Sequence, residues 1–161
     1  MRLRGCASSD GRTRDDLRNA LAALLDTQRE IDRLSVRCAG HSQSRRRHNL
    51  MRLIRVRSRI MMNPGARLEL SAIAAAANYS SWHFIRAFKQ AFDETPCEYA
   101  GRVRMEHARY LIAKTPMSIT EVAESIGYDS RSAFCRSFRT TFGINPSRAR
   151  NGGAPGERNI V

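Results

Sequence analysis

Two cations repeat at one spacing: Arg86 and Lys89 recur fifty residues later as Arg136 and Arg139. Each pair is threaded through three phenylalanines, Phe84, Phe88 and Phe92 in one place and Phe134, Phe138 and Phe142 in the other. Phenylalanines at i, i+4 and i+8 share one face of a helix, and that face reads as core. Counting in 100° steps brings Trp82, Arg86 and Lys89 to the opposite face, with Ile85 at its edge. The second copy places Ser132, Arg136 and Arg139 there, with Cys135 at the edge and Arg131 in the first turn. An outward arginine offers a planar fork that pairs with phosphate oxygens and with the two acceptors of a guanine edge. One such residue is ordinary surface charge. The same arrangement made twice is what a pair of major-groove readers would show.

The composition favours the same class of partner. The 161 residues carry 28 Lys+Arg against 15 Asp+Glu, a net charge of +13. Only Lys89 and Lys114 are lysines, so the positive charge is almost all guanidinium. That excess points to an anionic polymer. A hydrophobic share of 42% is enough for the core of one ordinary domain.

Other chemistries find no residues to carry them. Cys6, Cys38, Cys97 and Cys135 lie far apart with no C-x-x-C pair, so neither a disulfide framework nor a zinc site is expected. Thiols so placed fit a reducing cytosol. His41, His48, His83 and His107 form no metal-ligand pair. There is no phosphate loop, nucleophile elbow or dinucleotide fingerprint, so neither an enzyme nor a bound cofactor is expected. No run approaches the roughly 20 apolar residues of a membrane span. The basic N-terminus lacks the apolar stretch of a secretory signal.

Two outward faces need two similar folding units to hold them, and residues 65–150 contain both. Ala74 and Tyr79 match Ala123 and Tyr128 at an offset of 49, while Phe84 to Pro96 match Phe134 to Pro146 at an offset of 50. The extra residue falls between Tyr128 and Phe134, in a turn. Each copy reads as helix-turn-helix, over about 70–92 and about 119–142. Leu70, Ile73, Ala74 and Ala77 form the first short apolar helix, and Ile119, Val122, Ala123 and Ile126 the other. The turns carry Asn78 and Gly127, types that accept a positive φ. Ser118-x-x-Glu121 and Thr95-Pro-x-Glu98 read as capping boxes. The second box opens a connecting helix over 96–114, whose 19 residues would span roughly 28 Å. Successive major-groove turns lie about 34 Å apart, so a strut of that length suits two readers on one side of a duplex.

The N-terminal third holds most of the charge. No acidic residue lies between Asp32 and Glu69, while ten arginines do. Arg45–Arg47 read equally as a solvated linker or as part of a basic arm. From Leu50 to Met61 the apolar spacing predicts an amphipathic helix with Arg52, Arg55 and Arg59 on a cationic outer stripe, ended by Asn63-Pro64-Gly65. Residues 14–37 predict a separate helix with an apolar stripe from Leu17 to Leu34 and with Asp15 and Asp16 in its first turn. That stripe suits a short self-association seam, an adaptor surface or simple packing. Residues 1–45 thus form an Arg-rich helical extension, 46–150 the main domain, and 151–161 a Gly- and Pro-rich tail expected to be disordered. The fold class expected is all-α.

Residues 49–150 resemble the DNA-binding domain of AraC/XylS-type bacterial transcription regulators. The likeness rests on "NYSSWHFIRAFKQAF", on "RMEHARYLI", on "ITEVAESIGY" and on "SAFCRSFRTTFGINPSRAR". It implies seven helices in two helix-turn-helix subdomains joined by a long helix, set on an asymmetric site in double-stranded DNA. By position it implies DNA contacts from Ser81, Trp82, Ile85, Arg86 and Lys89 in the first reading helix. In the second it implies Ser130, Arg131, Ser132, Cys135, Arg136 and Arg139. Asn78 stands where the family's first turn has glycine, and Ile85 where a polar reader is common. The resemblance further implies an activator working with RNA polymerase in a bacterial cytoplasm. Residues 1–48 are too short for the effector domain of many members, so the chain looks like a small member or one without its sensor half. Two other readings stand beside it: a non-specific nucleic-acid binder driven by the N-terminal arginines, and a helical adaptor working through the Leu17–Leu34 stripe.

Overall fold

The computed structural model describes residues 9–151, with side chains from residue 14 onward. The tail expected to be disordered, but for Asn151, and Cys6 lie outside the described residues. Eight helices and no strand occur among the described residues. They are α1 (Ser9–Val36), α2 (Gln43–Met62), α3 (Leu70–Ala76), α4 (Ser81–Phe92), α5 (Pro96–Lys114), α6 (Ile119–Ser125), α7 (Arg131–Phe142) and α8 (Pro146–Arg150). The chain divides into two units, the first ending at Met51 and the second beginning at Arg52. None of the helices described is long and apolar enough to cross a membrane.

In the N-terminal unit α1 begins at Ser9, so Asp15 and Asp16 lie inside the helix and not in its first turn. Their pairing with neighbours is local and exposed, as in Arg18–Asp15 at 3.2 Å, and contributes little. The predicted stripe is open over its N-terminal half: Leu17, Leu21, Leu24 and Leu25 are 50–67% exposed. It closes at Leu34, Ser35 and Cys38, which are buried. Burial pushes the Cys38 thiol pKa up. Arg45–Arg47 do not form a linker. They are the opening turns of α2, whose first N–H groups include that of Arg45, bonded to Ser42 Oγ at 3.2 Å. Arg47 reaches back to donate to Asp32 at 3.0 Å, and Gln28 donates to the other oxygen at 3.2 Å. Those donors, Arg47 foremost, hold the Asp32 carboxyl below the usual carboxylate range.

The C-terminal unit repeats its geometry as it repeats its sequence. Phe84, Phe88, Phe134 and Phe138 are wholly buried. Removing one such side chain from water contributes about 2–3 kcal/mol, which is why these residues set the packing of each copy. Their rings stack edge to face in both copies, at 5.8 Å in the first and 5.6 Å in the second. The third ring of each stripe, Phe92 or Phe142, is only half-buried and is roofed by a guanidinium. Arg57 covers Phe92 at 4.9 Å, and Arg109 covers Phe142 at 5.2 Å. Each turn is closed by a tyrosine N–H, from Tyr79 to Ala74 and from Tyr128 to Ala123, both at 2.9 Å. Both α4 and α7 end on a left-handed residue, Asp93 at φ 63° and Gly143 at φ 76°.

Helix α5 carries the predicted capping box. Thr95 Oγ1 accepts from Glu98 N at 3.2 Å, and Thr95 N donates to the Glu98 carboxylate at 2.7 Å. Ser118 and Glu121 do the same for α6, at 3.2 and 2.6 Å. Arg104 of α5 donates to the carbonyls of Pro64 and Ala66 at 3.2 and 3.1 Å, fixing the loop that leads into α3.

Candidate nucleic-acid interface

The two outward faces are built from their inner sides outward. With Phe84 and Phe88 turned inward, α4 presents Ser81, Trp82, Arg86 and Lys89 to solvent, and Ile85 is half-buried at the margin. Trp82 is 67% exposed, an unusual position for an indole. The Arg86 guanidinium rests 5.4 Å over its ring, so apolar and cationic groups form one contiguous surface. In α7 the same geometry exposes Arg131, Ser132, Arg136 and Arg139 and leaves Cys135 half-buried. Arg86, Lys89, Arg131 and Arg136 form no ion pair with any described residue, so their charge is available to an outside anion.

Ser81 and Ser130 are not equivalent. Ser130 is the N-cap of α7, its Oγ accepting from Ala133 N at 3.1 Å. In the first copy that role falls to Ser80, whose Oγ accepts from His83 N at 3.4 Å, while Ser81 is already helical. A capped hydroxyl has already spent one acceptor lone pair on the backbone.

Counting from the phenylalanines also reaches residues passed over in the sequence. His83 and Gln90 share the exposed face of α4, and Thr140 that of α7. The same 100° arithmetic that finds Lys89 would find them. His83 packs edge-on against Trp82 at 5.9 Å and lies 6.4 Å from Tyr79, extending the aromatic surface.

Arg52 departs from expectation. It is not part of an outer cationic stripe. Its Nε donates to the Ala77 carbonyl at 2.7 Å, its Nη2 donates to the Asn78 carbonyl at 2.5 Å, and its guanidinium lies 4.2 Å above the Tyr79 ring. These carbonyls terminate α3, where a helix leaves acceptors without partners. Asn78 takes φ 53° in this turn, and Gly127 takes φ 80° in the other. The two turns meet different surroundings. A Cβ on Gly127 would stand 3.0 Å from the Gly65 carbonyl oxygen, so a side chain in the second turn would press on backbone.

Comparison with known proteins agrees with this geometry. Residues 73–152 match the family described as a helix-turn-helix domain. The MmsAB operon regulatory protein of Pseudomonas aeruginosa is 34% identical over 92 residues, which is 57% of this chain and 30% of that protein. An AraC-type DNA-binding domain protein from Chromobacterium violaceum superposes with a TM-score of 0.61 at 27% identity, covering 67% of this chain and 96% of that one. The DNA-binding domain of AdpA, a global transcriptional factor solved in complex with a target DNA, superposes with a TM-score of 0.58 at 25% identity. That match covers 62% of this chain and 90% of the AdpA chain. The chain spans about a third of the length of the first curated relatives it matches.

Proposed function

The chain carries the double helix-turn-helix DNA-binding domain of the AraC family, and from that premise we propose that it is a sequence-specific transcription regulator whose α4 and α7 read two adjacent major-groove segments. The observation that carries the reading is the duplication itself. Two helices, closed by equivalent turns, capped at equivalent positions and packed by equivalent phenylalanines, each turn unpaired cations outward. Arg86, Arg131, Arg136 and Arg139 are assigned to guanine edges or phosphates, and Lys89 to phosphate as a point charge. Trp82 and Ile85 are assigned to apolar contact with thymine methyls. Ser81, Ser132 and Cys135 complete the surface, and Ser130 holds the first turn of α7 in place.

Three arginines of the basic N-terminal stretch have partners within the protein: Arg47 donates to Asp32, Arg52 to the end of α3, and Arg57 stacks on two aromatic rings. The corresponding whole-protein reading is an activator that works with RNA polymerase in a bacterial cytoplasm.

Selection of duplexes from a random pool at about 150 mM salt tests the reading, because non-specific electrostatics are weakened there. The expected result is an asymmetric motif with two elements about one helical turn apart. Arg136→Ala should lower affinity by about 1–3 kcal/mol at one base pair and relax the preference there. No enriched motif, with binding that collapses uniformly as salt rises, would refute it.

A further inference from the structure

Between the first turns of α7 and α8 lies an open groove of about 720 Å³, lined by Arg131 and Cys135 on one side and by Asn145, Ser147 and Arg148 on the other. No acidic side chain lines it. Arg131 and Arg148 are both exposed, and neither forms a hydrogen bond or ion pair with any described residue. Two guanidinium groups bordering one groove without a counter-charge repel each other, and an anion between them removes that cost.

The far wall is held rigidly. Pro146 is buried, Ala149 packs on the core around Phe134 and Phe138, and Arg150 donates to the Met117 carbonyl. Neighbouring arginines of α8 therefore have separate fates: Arg150 ties the helix down, and Arg148 is left on the groove side. Arg131 and Cys135 belong at once to the groove and to the reading face of α7, so the two surfaces are continuous.

We propose that this groove seats a backbone phosphate of the DNA strand that flanks the segment read by α7, with Arg131 and Arg148 as its two cationic walls. The proposal rests on the DNA-reading role of α7 given above. An open groove of this size is too wide to retain a lone small anion and suits a continuous sugar–phosphate strand passing through it. It also divides the arginines of α7 by task. Arg131 positions the duplex and carries no sequence information, whereas Arg136 reads it.

The test uses the full chain and a duplex recovered by the selection above. A single neutral methylphosphonate is placed at each backbone position around the second element in turn. At one position it should weaken the wild-type protein, and at that position it should cause no further loss in Arg148→Ala. Arg148→Ala should also make the slope of log affinity against log salt shallower by about 0.9, and weaken selected and scrambled duplexes by the same factor. Arg148→Lys, which keeps a point charge, should restore most of the slope. Losses that simply add at every position, or a loss confined to one base sequence, would overturn the phosphate seat while leaving the reading role of α7 intact. If the wild-type protein shows no duplex preference and Arg136→Ala changes nothing, it is the reading role that fails.

Discussion

Gly65 lies so close to Ser125 that a Cβ on Gly65 would stand 2.6 Å from the Ser125 carbonyl oxygen. The loop before the first helix-turn-helix thus touches the end of α6 in the second, and Arg104 holds that loop to α5. The contact is backbone to backbone, so it has no flexible side chain to yield. Gly65→Ala should cost about 1–3 kcal/mol in urea unfolding, the range for overpacking. It should also change the tolerance for one-base-pair changes in spacing between the two DNA elements, measured by competition binding. An alanine variant with unchanged stability and unchanged spacing preference would show that this contact does not align α4 with α7.

Arg52 holds the carbonyls at the end of α3, where Asn78 takes the left-handed place that Gly127 takes in the second copy. Arg52→Ala leaves the Ala77 and Asn78 carbonyls without their donor and should destabilise by about 1–3 kcal/mol. Asn78→Gly should be neutral or stabilising, and Asn78→Ala should cost about 1–2 kcal/mol, since alanine resists φ 53°. Chemical denaturation of the three variants checks the order. Equal stability of Asn78→Ala and Asn78→Gly would contradict the left-handed turn.

The two copies should respond alike to core truncation. Phe88→Ala and Phe138→Ala should each cost about 3–5 kcal/mol, whereas Phe92→Ala and Phe142→Ala should cost less, because those rings are half-buried. Thermal melts of the four variants make the comparison.

Acid should weaken both capping boxes. The Thr95 and Ser118 backbone N–H groups bond to the Glu98 and Glu121 carboxylates and hold their pKa values below the ordinary glutamate range. A depressed folded pKa stabilises the protein above the unfolded value, and that contribution is lost as pH falls through the folded one. The wild type should therefore lose stability below about pH 4.3 faster than Glu98→Gln with Glu121→Gln. Melting temperatures taken from pH 7 to pH 3 would decide it, and parallel curves would refute the assignment.

Much of the fold was legible because it is local. Phenylalanines at i, i+4 and i+8 and a Ser or Thr three residues before Glu each state their geometry within a dozen residues, and the repeat at offsets of 49 and 50 states it twice. Where the reading fell short, the missing partner was distant in sequence. Nothing near Arg52 marks the carbonyls 25 residues away that it holds, so it read as surface charge. Arg45–Arg47 read equally as a linker because Asp32, the acid that engages Arg47, lies 15 residues back. Arg148 could not be told from Arg150 until α8 was packed, with one arginine turned to Met117 and the other to the groove.

The sequence by itself determined the all-α class, the two helix-turn-helix units, their capping and the two outward faces, since periodicity and short-range hydrogen bonds need no tertiary partner. Only the tertiary structure decided which of the many arginines are consumed in holding the molecule together and which are left to meet an anion. A guanidinium is the same in either role. What distinguishes them is the acceptor or ring that long-range packing brings against the guanidinium.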